Sequence, residues 1–194
     1  ITLLTQVAIG LANGGNILVG QYFGARDREN REETTGSFLT LFAILGAVVS
    51  VLVYLAARPF MAFMGAPALE EAVDYLAAAS WGLFFVYGYN ALSSVLRAMG
   101  NSQTPMGCVL VSVIANVALD ILFVGPLGWG TAGAAWATVI SQALSFALCL
   151  GYLLRHRDLF SFARERLRLR WRKIRMILRL GIPSAVQMTV AGIS

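Results

Sequence analysis

Asp120 is the one carboxylate in an apolar run from Met106 to Leu127. Asn116 precedes it by four residues and Ser112 by eight, so on a helix the three share a face. A carboxylate among Val, Ile, Leu and Phe is costly to bury unless it is paired or protonated. What it offers beyond an amide is the capacity to take up and release a proton or a cation such as Na+. Other polar residues recur inside apolar runs: Gln6, Asn13 and Asn16; Tyr87, Asn90 and Ser94; Thr138, Ser141, Gln142 and Ser145. Any single one reads as interhelical glue of modest energy. Together they turn polar stripes toward a shared interior, for which Gln6, Asn13, Tyr87, Asn90 and Gln142 are the candidate cavity residues. Cys108 and Cys149 read as small buried hydrophobes. The lone His156 sits among arginines, so no metal site is read other than one for Na+. No catalytic triad, phosphate loop or glycine fingerprint is present, and the chain does not read as an enzyme. No cofactor is expected beyond a coupling ion.

The elements that must hold these residues are membrane helices. Of 194 residues, 58% are hydrophobic and 13% charged, where a soluble domain carries roughly 25% charged residues. A helix crosses the hydrocarbon core with about 20 apolar residues. Five such runs span about 1–23, 35–57, 75–96, 105–127 and 131–154, and a sixth, from 180, is cut off. The chain opens at Ile1 inside one apolar run and closes at Ser194 inside another, which reads as a fragment of a longer protein, with no signal peptide visible. Pro59, Gly65 and Pro67 are read as breakers in the outer segment after the second run. Of the 15 Lys and Arg, only Arg58 falls in a loop on one side. The positive-inside rule then places 24–34, 97–104 and 155–179 in the cytoplasm.

Residues 155–179 form a basic linker. Leu167, Trp171, Ile174 and Leu178 fall at helical spacing among seven Arg or Lys between Arg166 and Arg179, which predicts an amphipathic helix over 164–180 lying on an anionic leaflet. Nucleic acid is excluded as a partner because apolar runs flank this charge on both sides.

Four stretches together resemble the MATE (multidrug and toxic compound extrusion) transporters. "GQYFGARD" (20–27) is similar to the end of that family's second helix, and "FMGAPALEEAVDYL" to the outer segment that follows. "LRAMGNSQTPM" (96–106) resembles the turn between its fourth and fifth helices, and "GTAGAAWATVISQ" (130–142) its sixth helix. The resemblance implies an all-α polytopic bundle: the N-terminal lobe of a two-lobe, twelve-helix transporter. Residues 1–154 would supply helices two to six, 155–179 the cytoplasmic linker, and 180–194 the start of helix seven. It further implies a monomeric, multi-pass protein of the inner (plasma) membrane, contacting lipids and exporting small amphipathic or cationic compounds in exchange for H+ or Na+. Asn116 and Asp120 match the family's helix-five Asn and Asp, and Thr138 its helix-six threonine, at a cation site. Asn101 stands where the family often has Asp. Eight residues beyond Pro183, where some members carry a Glu, stands Ala191, so coupling through the first lobe is expected.

Two other classes compete. A flippase of related fold for lipid-linked oligosaccharides needs cationic side chains within its membrane cavity, and Arg58 and Arg97 sit at span ends. An intramembrane enzyme would need a Ser/Lys pair, paired carboxylates or a His/Glu metal motif, and none is present.

Overall fold

The computed structural model describes residues 2–63, 68–156 and 170–191. All regular elements among them are α-helices: α1 (Thr2–Gly24), α2 (Arg28–Phe63), α3 (Leu69–Ala98), α4 (Gln103–Val124), α5 (Gly130–Arg155) and α6 (Trp171–Ala191). Helices are what an apolar chain in lipid must form, because each satisfies its own backbone hydrogen bonds. The surface is inverted relative to a soluble protein. Leu110, Ile114 and Ile121 of α4, and Leu52 and Leu55 of α2, are more than half exposed, and only a hydrocarbon environment accommodates such a surface.

Four helices, α1, α2, α4 and α5, are long and apolar enough to cross a membrane. The run expected at 75–96 lies within α3, which is longer than three of these four. Its apolar content is diluted by Tyr87, Tyr89, Asn90, Ser93 and Ser94, and of these Tyr87, Ser93 and Ser94 are turned into the protein. α3 is the hub and packs on α1, α2, α4 and α5. On one side of it, Ala8, Ala12 and Leu18 of α1, Phe38 and Phe42 of α2 and Ile177 of α6 close a core around Tyr87 and Val95. On the other, Leu92 and Leu96 meet Cys108, Cys149 and Leu153.

Glycines set these distances. Gly14 of α1 meets the backbone of Gly181 and Ile177 on α6, and Gly10 meets Ala185, so two helix backbones touch without intervening side chains, the close approach that small residues permit in membranes. Gly15 receives the ring of Phe38, and Gly88 the ring of Phe146.

Two expectations are corrected here. Pro59 does not end the second helix, which continues to Phe63: near an exposed helix end the missing N–H costs little. The second concerns the linker. Residues 157–169 lie outside the described residues, but from Trp171 the chain is one continuous helix to Ala191, so the expected boundary at 179/180 falls inside α6. The buried stripe is also different. It follows Lys173, Ile174, Ile177, Gly181 and Ala185, while Trp171 is 75% exposed. This face lies on α1 rather than on a lipid leaflet, because Gly10 and Gly14 offer a flat surface that Ile177 and Gly181 fit.

Candidate functional site

The α4 stripe runs Cys108, Ser112, Asn116, Asp120, one residue per turn. Cys108 and Ser112 are buried and Asn116 and Asp120 half-buried, while Val109, Val113 and Val117 beside them face outward. α4 packs chiefly on α5. A Cβ on Gly133 would stand 3.0 Å from Phe123 Cβ, and Cys108 shares a packed cluster with Cys149. The two helices are therefore antiparallel, and the register sets Asp120 level with the turn holding Ala137 and Thr138. Asp120 lies one turn from the α4 terminus at Val124, near the outer mouth if the positive side is cytoplasmic.

Most hydroxyls of this region are already bonded to their own helix. Ser112 Oγ donates to Cys108 O at 2.9 Å, Ser141 Oγ to Ala137 O at 2.7 Å and Ser145 Oγ to Ser141 O at 3.0 Å. Thr138 is exposed, and its Oγ1 donates to Ala134 O at 3.0 Å, which leaves the oxygen lone pairs open. Asp120 Oδ1 and Asn116 Nδ2 differ. Both are buried atoms without a hydrogen-bond partner. Buried polar atoms are nearly always satisfied, so an orphaned carboxylate oxygen one helical turn from an orphaned amide asks for a guest. A cation or proton on Asp120 would satisfy it. Rotating the Asn116 amide by half a turn would present an oxygen to the same guest, and such flips are a matter of assignment. The donor set is all oxygen, as a hard cation requires.

The five expected cavity residues do not converge. Tyr87 is a core residue, 2% exposed, whose hydroxyl donates to Leu4 O at 3.2 Å and whose ring packs on Phe42. It is thereby removed from the cavity list: an aromatic at the hub of four helices is buried by packing, and its one polar atom ties α3 to α1. Gln142 reaches across α5 to sit over Gly82 of α3. Asn90 Nδ2 donates to Val86 O at 2.8 Å within its own helix. Gln6 and Asn13 are half-buried and share the Gly10/Gly14 face of α1, which lies against α6.

A second cluster, at the basic end, was not singled out from sequence. Asp27 caps α2: its Oδ1 accepts from Asn30 N at 3.1 Å and its Oδ2 from Asn30 Nδ2 at 2.7 Å. These bonds, aided by the nearby Lys173 ammonium, hold the Asp27 carboxyl below its ordinary range. The signal was present in the "GARDREN" stretch, where Asp followed three residues on by Asn is a helix-start pattern. Its connection to Lys173, 143 residues away, was not legible. Asn101, at the other basic turn, caps α4 by accepting from Thr104 N at 3.1 Å and donates through Nδ2 to Tyr152 Oη at 3.0 Å, so the departure from Asp is accommodated.

Comparison with known proteins joins these observations to a family. The MatE family model matches residues 1–122, and the model for the lipid II flippase MurJ matches residues 65–192. The chain is 30% identical over 201 residues to the probable multidrug resistance protein YoeA of Bacillus subtilis (strain 168), covering 99% of this chain and 43% of that protein. It is 31% identical to YpnP of the same organism, covering 98% of this chain and 42% of the relative. A multidrug resistance MATE family transporter of the MOP superfamily, solved in an inward-facing conformation, superposes with a TM-score of 0.90 at 27% identity, covering 97% of this chain and 43% of that one. The chain thus spans under half the length of the relatives it matches. With an all-helical bundle, candidate membrane spans and relatives along nearly its whole length, the chain belongs to the MATE family of transporters and corresponds to one lobe of such a protein.

Proposed function

We propose that the whole protein is a secondary antiporter of the inner (plasma) membrane, exporting small amphipathic or cationic compounds in exchange for entering Na+ or H+, with Asp120, Asn116 and Thr138 as the coupling site. The observation that carries the reading is the pair of buried, unpartnered atoms Asp120 Oδ1 and Asn116 Nδ2 on the packed stripe of α4. Ionisable groups within membrane helices are rare and mark ion pathways. Empty, the Asp120 carboxylate bears a charge that a low-dielectric surrounding disfavours; occupied by Na+ or a proton it is neutral. An ion can shift an equilibrium between two arrangements only by its differential affinity for them. Neutralising Asp120 supplies that difference, and so ties ion entry to alternating access of the two lobes. Thr138 adds a hydroxyl oxygen at the same level, which matters for Na+ and not for a bare proton. The relatives' names, which speak of multidrug resistance, support the export of drugs.

A second reading, a lipid-linked oligosaccharide flippase, has two observations of its own: the MurJ match and the exposed, helically aligned Arg172, Arg175 and Arg179 of α6, which could meet a pyrophosphate. Reconstituting the full-length protein separates the two. Extrusion of a fluorescent organic cation driven by a Na+ or H+ gradient is the expected result. Translocation of a lipid pyrophosphate, with no extrusion under either gradient, would establish the flippase instead.

A further inference from the structure

α6 meets the first lobe through a polar contact at the basic end of the bundle as well as through glycines. Lys173 is 5% exposed. Its Nζ donates to Asn30 Oδ1 at 2.6 Å and to Tyr22 Oη at 3.1 Å, and lies 4.3 Å from the centroid of the Tyr22 ring. Asn30 is held in place because its Nδ2 is committed to Asp27, which leaves its carbonyl oxygen for the ammonium. One turn earlier, Arg170 pairs with Glu33 at 2.9 Å, and its backbone N–H reaches Ser37 Oγ at 3.3 Å. Every partner of α6 here belongs to the end of α1, the α1–α2 turn or the first turns of α2.

We propose that this cluster is a releasable latch, in which the α1–α2 turn grips the first turn of α6 and must let go for the basic, cytoplasmic side of the transporter to open. The inference rests on the antiporter reading above, in which the lobes move against each other. Three features make the contact a latch rather than a permanent weld. The two hydrogen-bond acceptors of the buried ammonium are neutral, so its release does not strand a partner carboxylate in a dry site, the event that makes breaking a buried ion pair severe. A cavity of about 310 Å³ bordered by Tyr22, Asn30, Glu33 and Lys173 adjoins the contact and gives water a way to hydrate the ammonium as it leaves. Beyond the latch, the seam between α1 and α6 is backbone against backbone at Gly14 and Gly181, so the helices can part as rigid bodies without unlocking interdigitated side chains.

The test uses the full-length transporter in nanodiscs, with Cys108, Cys149 and any other native cysteine replaced and spin labels at Arg26→Cys and Arg172→Cys, both exposed positions on opposite sides of the contact. Pulsed dipolar spectroscopy should resolve a short and a long distance. Lys173→Met keeps the apolar stem and removes the charge-assisted bonds; it should lower the short-to-long ratio roughly tenfold or more. Lys173→Arg should restore much of it, and Tyr22→Phe, which keeps the ring but loses the hydroxyl, should shift it less than Lys173→Met. A single short distance unchanged in Lys173→Met, even with a lower melting temperature, would overturn the latch and make Lys173 a fixed structural contact. Since the ratio is read without transport, a protein whose latch responds to Lys173→Met but which exports nothing would refute the antiporter reading and leave the latch standing.

Discussion

Replacing Gly14 by alanine tests the packing that brings α6 onto the first lobe. The added Cβ would stand 2.5 Å from both Gly181 N and Ile177 O, and 2.7 Å from Gly181 Cα. These are backbone atoms, so no rotamer change relieves the clash. Ordinary contact begins at 3.4 Å, and the two helices must therefore part by close to an ångström along a seam that also positions Lys173. Overpacking of this kind costs about 1–3 kcal/mol, against a gain of at most about 1 kcal/mol from replacing glycine inside a helix. Gly107, exposed on α4 with nothing within 4 Å of its virtual Cβ, is the control: alanine there keeps the gain and meets no neighbour. In a detergent thermostability assay of the full-length protein, Gly14→Ala should melt about 2 °C or more below Gly107→Ala. Equal melting temperatures would show that α1 and α6 are not in backbone contact, and the argument for a flat, separable seam would fall with them.

Three further outcomes are expected. The Asp27 carboxyl titrates below its model-compound value of 3.8 in the folded protein, so the unfolded chain binds its proton first as pH falls. Its stabilisation is complete above that value and is lost as pH drops below it; Asp27→Asn should flatten this acid arm of the stability profile, and parallel profiles would exclude the assignment. Tyr87→Phe removes the bond to Leu4 O while keeping the ring among Phe42 and Ala91, and should cost about 1 kcal/mol of stability with transport intact; loss of substrate binding at full stability would return Tyr87 to the cavity. For topology, single cysteines at Asn101 and Gly128, in a chain lacking Cys108 and Cys149, should react with an impermeant thiol reagent from opposite sides, and labelling of both from outside would overturn the inside-positive orientation.

The fold class was legible because lipid imposes one rule on every span: apolar runs of sufficient length must be helices. Asp120 stood out for the same reason, as a charge where charges are expensive. Linear spacing could not tell which polar residues of a stripe would find partners. Ser112, Ser141 and Ser145 look identical to cavity liners in sequence, yet each donates to a carbonyl three or four residues back. Tyr87 was misread because its neighbours Phe42 and Ala8 come from other helices, and a hub position is a property of the assembled bundle. The basic linker was misread for a physical reason too. Seven cations between Arg166 and Arg179 look like a membrane-surface face, but Lys173 is drawn inward by Asn30 and Tyr22, which folding alone brings to it. The Asp120–Asn116 pair could be named from spacing and from the family resemblance; that two of its atoms are buried and unsatisfied needed coordinates.

The central claim, that Asp120 is where the driving ion binds, is tested most directly by Asp120→Asn in the full-length protein. The amide is nearly isosteric, so packing on α5 should survive, but it cannot carry the charge that an ion neutralises. Efflux of a fluorescent organic cation from proteoliposomes is measured under a Na+ gradient alone and then a H+ gradient alone. Wild type should respond to at least one gradient, which names the ion, and Asp120→Asn to neither, while Asn116→Ala and Thr138→Ala reduce efflux less, and more severely if the ion is Na+. Wild-type efflux in Asp120→Asn would contradict the account and move the coupling site elsewhere in the transporter.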